Sequence, residues 1–166
     1  MDLLQFLWDY QTDPLIYLLI LFLFSIAVAI VLPIPVEIGL IWNPLVPFWL
    51  KSLVLGAGKA VGSMAVFGIG LKLEPKIRSW SRFKWFKWFV TKSEAFVERY
   101  GYLALYVILS IPIMTDTVPL YIFSLLNKEG KAMSLRFFTL TNFLAGINRA
   151  SLLGLLFYAL GINLFS

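Results

Sequence analysis

The sequence predicts an all-α polytopic membrane protein, on the strength of an apolar composition, long uncharged runs and paired proline breaks. Hydrophobic residues make up 60% of the 166-residue chain and charged residues 14%, whereas a soluble domain carries about 25% charge. A water-soluble fold of this length cannot bury so much apolar surface, but a bilayer removes the need to bury it. The length predicts a single membrane domain over residues 1–166.

The composition also excludes several kinds of chemistry. The chain has no cysteine and no histidine, which excludes disulfides, thiolate nucleophiles, imidazole acid–base catalysis and the usual zinc sites. No serine or tyrosine has a base beside it, and no carboxylate cluster offers a metal site, so we expect neither an enzyme nor a cofactor. The net charge of +5 indicates basic loops facing anionic lipid headgroups rather than a nucleic-acid partner.

The start of the chain predicts an interfacial segment followed by a membrane-spanning helix. Three aspartates among apolar residues indicate the interfacial segment over 1–13, and they argue against a cleavable signal peptide, which begins with basic residues. Asp13 followed by Pro14 favours a helix start. The run from Leu15 to Leu32 has neither charge nor proline and covers roughly 27 Å as a helix, enough to cross a bilayer.

A proline break with one acid follows this helix. Pro33 and Pro35 cannot continue a regular helix, and Glu37 lies directly after them. The next apolar run, Ile38 to Leu50, is short and contains two further prolines. We therefore expect a re-entrant hairpin that returns to the side from which it entered, with its irregular backbone shielded by protein or water.

A second span is predicted from Leu53 to Leu71, which completes a first half over 14–71. Its small residues allow another helix to approach closely, and a glycine near the end of the chain has the same predicted role. The glycines assigned to helix packing are Gly56, Gly58, Gly62 and Gly146.

The segment 72–92 is predicted to be a basic interfacial loop on the cytoplasmic side. Seven bases and one acid are interleaved there with aromatic residues, and cytoplasmic loops of membrane proteins carry an excess of Lys and Arg. A specific lipid-headgroup or nucleic-acid site in this segment is the alternative interpretation.

The second half, 93–166, follows the same order as the first. Pro112 and Pro119 bracket a break that contains Asp116, and its apolar surroundings again predict a re-entrant hairpin. The last span is predicted from Phe137 to Phe165.

A glycine, a base, an alanine and a phenylalanine recur with the same spacing in the two halves. They are Gly56, Lys59, Ala60 and Phe67 in the first and Gly146, Arg149, Ala150 and Phe157 in the second. With 72–92 inside, the first hairpin enters from outside and the second from inside. We therefore expect an inverted repeat of a re-entrant helical hairpin plus a transmembrane helix, as in many secondary transporters.

Four ionisable residues lie in the otherwise uncharged stretches: Glu37, Lys59, Asp116 and Arg149. Each costs about 2.5 kcal/mol or more at the centre of a membrane helix if it is unpaired. One interpretation is two buried ion pairs that hold the fold together. The other is a polar cavity in which Glu37 and Asp116 are proton or cation sites, while Lys59 and Arg149 bind a phosphate headgroup. The further headgroup-binding or hydrogen-bonding candidates are Thr115, Thr117, Asn142 and Asn148.

Motifs in both halves agree in order and spacing with those of a known family. The first half carries Pro33-x-Pro35-x-Glu37 and then Gly56-x-Gly58-Lys59-x-x-Gly62. The second half carries Phe96 to Gly101, Ile111-Pro112 through Val118-Pro119, and Gly130-x-x-Met133 followed by Phe137, Asn142 and Gly146. Over roughly residues 25–160 the chain resembles the DedA family, also called the VTT or SNARE-associated Golgi protein family.

The resemblance implies two re-entrant hairpins that face each other from opposite leaflets, and it implies lipid movement. The family's acidic residue after Pro-x-Pro corresponds to Glu37. Bacterial members carry an arginine three residues after the second-half proline, where this chain has Thr115, and a tryptophan in the last span, where it has Arg149. Arg149 can supply the missing base from another helix.

We therefore expect a flippase or scramblase in the cell membrane that moves an anionic lipid or a polyprenyl phosphate. The sequence is compatible with transport that is coupled to protons and with transport that is not. Its expected partners are membrane lipids, and a homo-oligomer stays open because the glycine faces can pack within one chain or between two. The alternatives are a proton-coupled small-solute or multidrug exporter and a non-transporting membrane scaffold.

Overall fold

The computed structural model of the chain describes residues 13–41, 43, 45–79, 84–127 and 132–160. Every regular element within these ranges is helical, which confirms the predicted all-α class for the described part of the chain. The interfacial segment predicted over 1–13 lies outside the described residues, except for Asp13. In chain order the elements are α1 (Pro14–Ile30), a 3₁₀ helix (Val36–Leu40), α2 (Phe48–Ser79), α3 (Lys84–Ser110), α4 (Thr117–Leu125) and α5 (Leu135–Ala159).

Two helical stretches are long and apolar enough to cross a membrane, Phe48–Leu73 within α2 and Leu135–Phe157 within α5. The apolar helix α1 is shorter, with 17 residues and a length of about 25 Å. These helices are compatible with the predicted membrane class. The predicted last span extends to Phe165, but α5 ends at Ala159, and residues 161–166 lie outside the described part of the chain.

α1 begins at the predicted cap. The carboxylate of Asp13 accepts the backbone N–H groups of Leu15 at 2.9 Å and Ile16 at 3.4 Å, which satisfies donors that the first helical turn leaves unpaired. The helix ends at Ile30, because the prolines that follow disfavour the α conformation in the residues before them.

The break after α1 brings the chain back to the level at which α1 began. The hydroxyl of Tyr17, in the first turns of α1, donates to the carbonyl of Gly39 in the 3₁₀ helix at 2.6 Å. The ammonium of Lys51, near the start of α2, lies 5.6 Å from the ring centre of Tyr17. Hence α1 and α2 start at the same end of the helical bundle.

Two glycines let α1 lie directly against α2. A Cβ at Gly58 would lie 2.6 Å from the carbonyl oxygen of Phe22, and one at Gly62 would lie 2.6 Å from the Cβ of Ala29. Since the contacts advance together along both helices, α1 and α2 run in parallel. The close approach is the one that small residues four positions apart permit.

The start of α2 differs from the sequence expectation. It begins at Phe48 and not at Leu53, because the polar pair Lys51 and Ser52 is accommodated within the helix. The hydroxyl of Ser52 donates to the carbonyl of Phe48 at 2.9 Å, so its polarity does not interrupt the helix.

The basic segment 72–92 also differs from expectation, since it is not a loop over most of its length. α2 continues to Ser79 and α3 begins at Lys84, so helix lies on both sides of residues 80–83. Lysine, arginine and aromatic residues are all compatible with a helix. Their clustering therefore indicates a position at the membrane interface and does not by itself interrupt a helix.

α3 and α5 run in parallel, as α1 and α2 do. The hydroxyl of Tyr102 accepts the backbone N–H of Ser134 at 2.7 Å, and its ring packs on Phe137 with 5.7 Å between centroids. At the far end, Ile113 and Arg149 share a partner, the carboxylate of Glu37.

Three of the four prolines assigned to the breaks lie in irregular backbone, namely Pro33, Pro35 and Pro112. Pro119 is different because α4 begins two residues before it. In the first turn of a helix its missing N–H removes no intrahelical hydrogen bond, so this proline does not break the helix.

The long helices α2 and α5 cross in opposite directions. Gly56 and Gly146 face each other at the crossing, where a Cβ at Gly146 would lie 3.2 Å from the Cα of Gly56. Farther along α2, and earlier along α5, the rings of Phe67 and Phe138 pack with centroids 5.2 Å apart. Gly56 and Gly146, which occupy matching places in the sequence pattern of the two halves, thus come into contact.

Two apolar clusters bind the helices into one unit. One joins α3, α4 and α5 to α2 and includes the fully buried Leu105, Leu120 and Phe138. The other joins α1, the 3₁₀ helix and α2 to α5 and includes the fully buried Val28 and Val36. Because each cluster draws on both halves, neither half buries its apolar faces alone.

Candidate functional site

The four ionisable residues singled out in the sequence lie together in one ion-paired cluster. The ammonium of Lys59 lies 3.1 Å from Oδ2 of Asp116, and Nη1 of Arg149 lies 3.0 Å from Oδ1 of the same carboxylate. Nε of Arg149 lies 3.2 Å from Oε1 of Glu37. We call these four residues the charge cluster; none of them is more than 4% exposed.

Each member of the charge cluster comes from a different element. Glu37 lies in the 3₁₀ helix and Lys59 in α2, while Asp116 precedes α4 and Arg149 lies in α5. Both acids therefore follow a break, and both bases lie on the helices that cross at Gly56 and Gly146.

Asp116 occupies the N-cap position of α4, but its side chain makes no capping hydrogen bond. An aspartate at such a position ordinarily accepts the N–H groups of the first turn. Here its two oxygens meet two different cations, Lys59 and Arg149. The carboxylate is therefore oriented by the cluster rather than by its own helix.

Glu37 links the two breaks. Its Oε1 accepts the backbone N–H of Ile113 at 3.2 Å in addition to its contact with Arg149. Ile113 has a φ of 65°, a left-handed conformation that a β-branched residue rarely adopts and that costs on the order of 1–3 kcal/mol. The contact with Glu37 is one of the interactions that hold this strained backbone.

The crossing of α2 and α5 makes room for the bases. A Cβ at Gly146 would lie 3.2 Å from Cδ of Lys59, so the absence of a side chain there accommodates the lysine stem. The amide of Asn142 donates to the carbonyl of Lys59 at 2.7 Å, which ties the two helices together beside the cluster.

The charges of the cluster sum to zero when all four groups are ionised. Moving an isolated ion into a low-dielectric interior costs several kcal/mol, and close pairing offsets that cost. Removing one member leaves an uncompensated charge, which costs about 3–5 kcal/mol in buried pairs. The cluster is therefore sensitive to any change in its net charge.

Several buried polar atoms of the cluster form ion pairs but no hydrogen bond. Oε2 of Glu37, Nη2 of Arg149 and the neighbouring Oδ1 of Asn142 also have no hydrogen-bond partner among the described residues. Buried polar atoms are nearly always satisfied. These two acceptors and one donor provide hydrogen-bonding capacity beside the ion pairs.

The remaining candidates take different positions. The hydroxyl of Thr117 lies 2.8 Å from the carbonyl of Val28 and 3.1 Å from that of Leu32, so it ties α4 to the end of α1. Thr115 and Asn148 are partly buried, and neither belongs to the charge cluster.

Sequence reasoning missed a fifth buried charge, Lys51, which is 3% exposed. Its ammonium donates to the carbonyl of Leu40 at 3.3 Å, the last residue of the 3₁₀ helix, where a cation meets the negative end of the helix. Its position between two predicted apolar runs concealed it. The sequence signal that could have revealed it is that Lys51 lies only two residues before the span predicted from Leu53, so the same helix could include it.

A comparison of the chain with protein-family models, curated proteins and solved structures found no match. The functional interpretation therefore depends on the geometry of the charge cluster and on the motifs of the sequence.

Proposed function

We propose that the chain is a polytopic membrane protein of the DedA type that translocates lipids. In this proposal the phosphate headgroup of an anionic lipid passes between two re-entrant hairpins while its acyl chains stay in the bilayer. The observation that carries it is the charge cluster, in which Glu37 and Asp116 from the two breaks meet Lys59 and Arg149 from the two crossing helices.

An inverted repeat is supported by the way in which the helices are oriented. Within each half the first and the last long helix are parallel, while α2 and α5 are antiparallel to each other. Gly56 and Gly146, which are equivalent in the two halves, touch at the crossing. Equivalent residues come into mutual contact where a two-fold axis passes between them, and such an axis in the membrane plane relates the halves of many transporters.

The chemistry of the cluster suits a phosphate. Arg149 presents a planar guanidinium whose Nη2 has no hydrogen-bond partner among the described residues, and a guanidinium binds phosphate through parallel hydrogen bonds. A headgroup phosphate that approaches Arg149 and Lys59 competes with Asp116 for both cations. In this proposal, displacement of that carboxylate accompanies headgroup binding.

Charge balance gives a reason for proton coupling. The cluster is neutral before a lipid enters, and one phosphate charge makes it negative by one. Uptake of one proton or one monovalent cation, by Glu37 or Asp116, restores neutrality and avoids the cost of an uncompensated buried charge. Acidic side chains inside membranes commonly relay protons in this way.

The test is lipid translocation by purified protein in liposomes that contain fluorescent phosphatidylglycerol, read as the fraction of fluorophore that an external reductant reaches. Arg149→Ala and Glu37→Gln are expected to slow translocation roughly tenfold or more, because each removes a charge-assisted interaction of about 1.5–3 kcal/mol. Arg136→Ala and Glu98→Gln are matched controls, since both side chains are exposed, and they are expected to retain the wild-type rate.

Equal translocation by wild-type protein and protein-free liposomes would rule out the proposed function. Retained activity in both cluster variants would instead rule out the assigned site. Circular dichroism and size-exclusion chromatography establish that each variant is folded before its rate is interpreted.

A non-transporting scaffold is the second candidate, and one observation favours it. Each charge of the cluster already has an opposite charge within 3.2 Å, which is what a purely structural network requires. This candidate predicts that cluster variants lose stability and that the wild-type protein moves no lipid.

A further inference from the structure

An open groove lies between α3 and α4, away from the charge cluster. Its volume is about 430 Å³, within the roughly 300–1,000 Å³ range of small-molecule sites. Val97 and Phe123 form its buried floor, and Ile122 on α4 is 46% exposed beside it. None of the four cluster residues lines it.

The residues that line the groove are spread along much of α3. Its lining residues on that helix run from Trp88 to Ile108, 20 positions apart, which is about 30 Å along a helix axis. Leu126, just after α4, lines the groove from the other side. Apolar lining residues spread over this length of one helix match the length of a linear acyl chain.

One end of the groove has a different character. Among the described residues that line the groove, Lys92 is the one charged side chain, and it lies one turn after Trp88, which is 65% exposed. Tryptophan favours the headgroup level of a bilayer, and lysine favours phosphate there. Both residues lie in the basic segment 72–92, whose positive charge attracts anionic partners.

We propose that this groove binds one phospholipid of net negative charge as a resident ligand, with an acyl chain along α3 and its phosphate at Lys92. The lipid is held at the outer surface of the helices and is not the one translocated, so this site requires a membrane but does not require the proposed transport. Charge complementarity at one end and an apolar, extended lining along the rest select this occupant.

The experiment is native mass spectrometry of the full chain in detergent, titrated with phosphatidylglycerol and with diacylglycerol of the same acyl chains. Phosphatidylglycerol is expected to bind more tightly than diacylglycerol. Lys92→Ala is expected to weaken phosphatidylglycerol binding about fivefold, as one phosphate contact near a membrane surface is worth about that factor, and to leave diacylglycerol binding unchanged. Lys72→Ala, an exposed lysine of the same basic segment that does not line the groove, is the matched control.

A second pair of variants tests the groove itself. Ile122→Trp fills the groove and is expected to weaken the binding of both lipids, whereas Leu103→Trp alters an exposed residue of α3 that does not line it and is expected to have no effect. Equal effects of Lys92→Ala and Lys72→Ala would overturn the site in favour of general attraction to the basic segment. Wild-type affinity in Ile122→Trp would overturn it as well.

Discussion

Asp116 is the residue on which both bases of the charge cluster depend, because Lys59 and Arg149 each have one of its oxygens as a partner. Asp116→Asn keeps the shape of the side chain but leaves the buried cluster with one excess positive charge. We expect the free energy of unfolding to fall by about 3–5 kcal/mol. Unfolding in detergent with increasing denaturant, followed by circular dichroism, measures the change.

The double variant Lys59→Met with Asp116→Asn is the informative companion to that single variant. It restores neutrality, since Glu37 and Arg149 remain as a pair, and replacing a buried ion pair by uncharged side chains is often close to neutral for stability. We expect the double variant to recover most of the stability that Asp116→Asn loses. If the double variant lost as much free energy of unfolding as the two single variants lose together, charge balance would not be what stabilises the cluster.

At the scale of residues, the sequence predicted the cluster members well because a charge in a long apolar run is visible without any structure. Lys51 was overlooked because it borders two such runs and adjoins Ser52, so its polarity resembled a boundary. The N–H of Ile113 was beyond prediction, because a backbone donor carries no sequence signal and its role depends on a φ of 65°.

At the scale of elements, the packing of α1 on α2 depends on the glycines of α2. Gly62, which contacts α1, and Gly68, which has open space around it, provide a test variant and its control. A Cβ at Gly62 would lie 2.6 Å from the Cβ of Ala29 and 3.0 Å from the carbonyl oxygen of Ile26, whereas a Cβ at Gly68 would meet nothing within 4 Å. Gly62→Ala is expected to destabilise the protein by about 1–3 kcal/mol through overpacking.

Gly68→Ala provides the opposite expectation in the same helix. With open space around it, an alanine there lowers the conformational entropy of the unfolded chain and is expected to stabilise the protein by about 0.5–1 kcal/mol. Both variants are measured by the same unfolding experiment. If Gly62→Ala were also stabilising, α1 and α2 would not be in the close contact described.

The sequence predicted where helices are interrupted better than where they continue. Pro33 and Pro35 follow the end of α1, where their missing backbone donors and their rings prevent the helix from continuing. Charge has no such effect on the backbone, so the basic segment 72–92 is helical on both sides of 80–83. Pro119 shows the limit of the proline rule, because a proline is tolerated in the first turn of a helix.

At the scale of the whole molecule, the relation between the halves follows from contacts that lie far apart in sequence. The recurrence of a glycine and a base at the same spacing predicted equivalent halves, but spacing alone cannot say that Gly56 and Gly146 touch. Opposite directions of the two helices were expected from the placement of the basic segment 72–92, but their crossing point follows from packing and has no local sequence signal. Direction of the two helices across a membrane is the property that a labelling experiment can establish.

Because the natural sequence has no cysteine, each introduced cysteine is a unique label. Leu45 is 70% exposed just before α2, Ser134 is exposed just before α5, and Lys72 is exposed near the far end of α2. Leu45→Cys is expected to react with a membrane-impermeant maleimide on one side of the membrane, and Lys72→Cys and Ser134→Cys on the other. Intact cells and inverted vesicles provide the two sides.

If Leu45→Cys and Ser134→Cys were labelled from the same side, α2 and α5 would cross the membrane in the same direction. That result contradicts an inverted repeat, because helices that are antiparallel in the protein and both span the bilayer must begin on opposite sides. The positive-inside rule adds the absolute direction, with Lys72 expected on the cytoplasmic side.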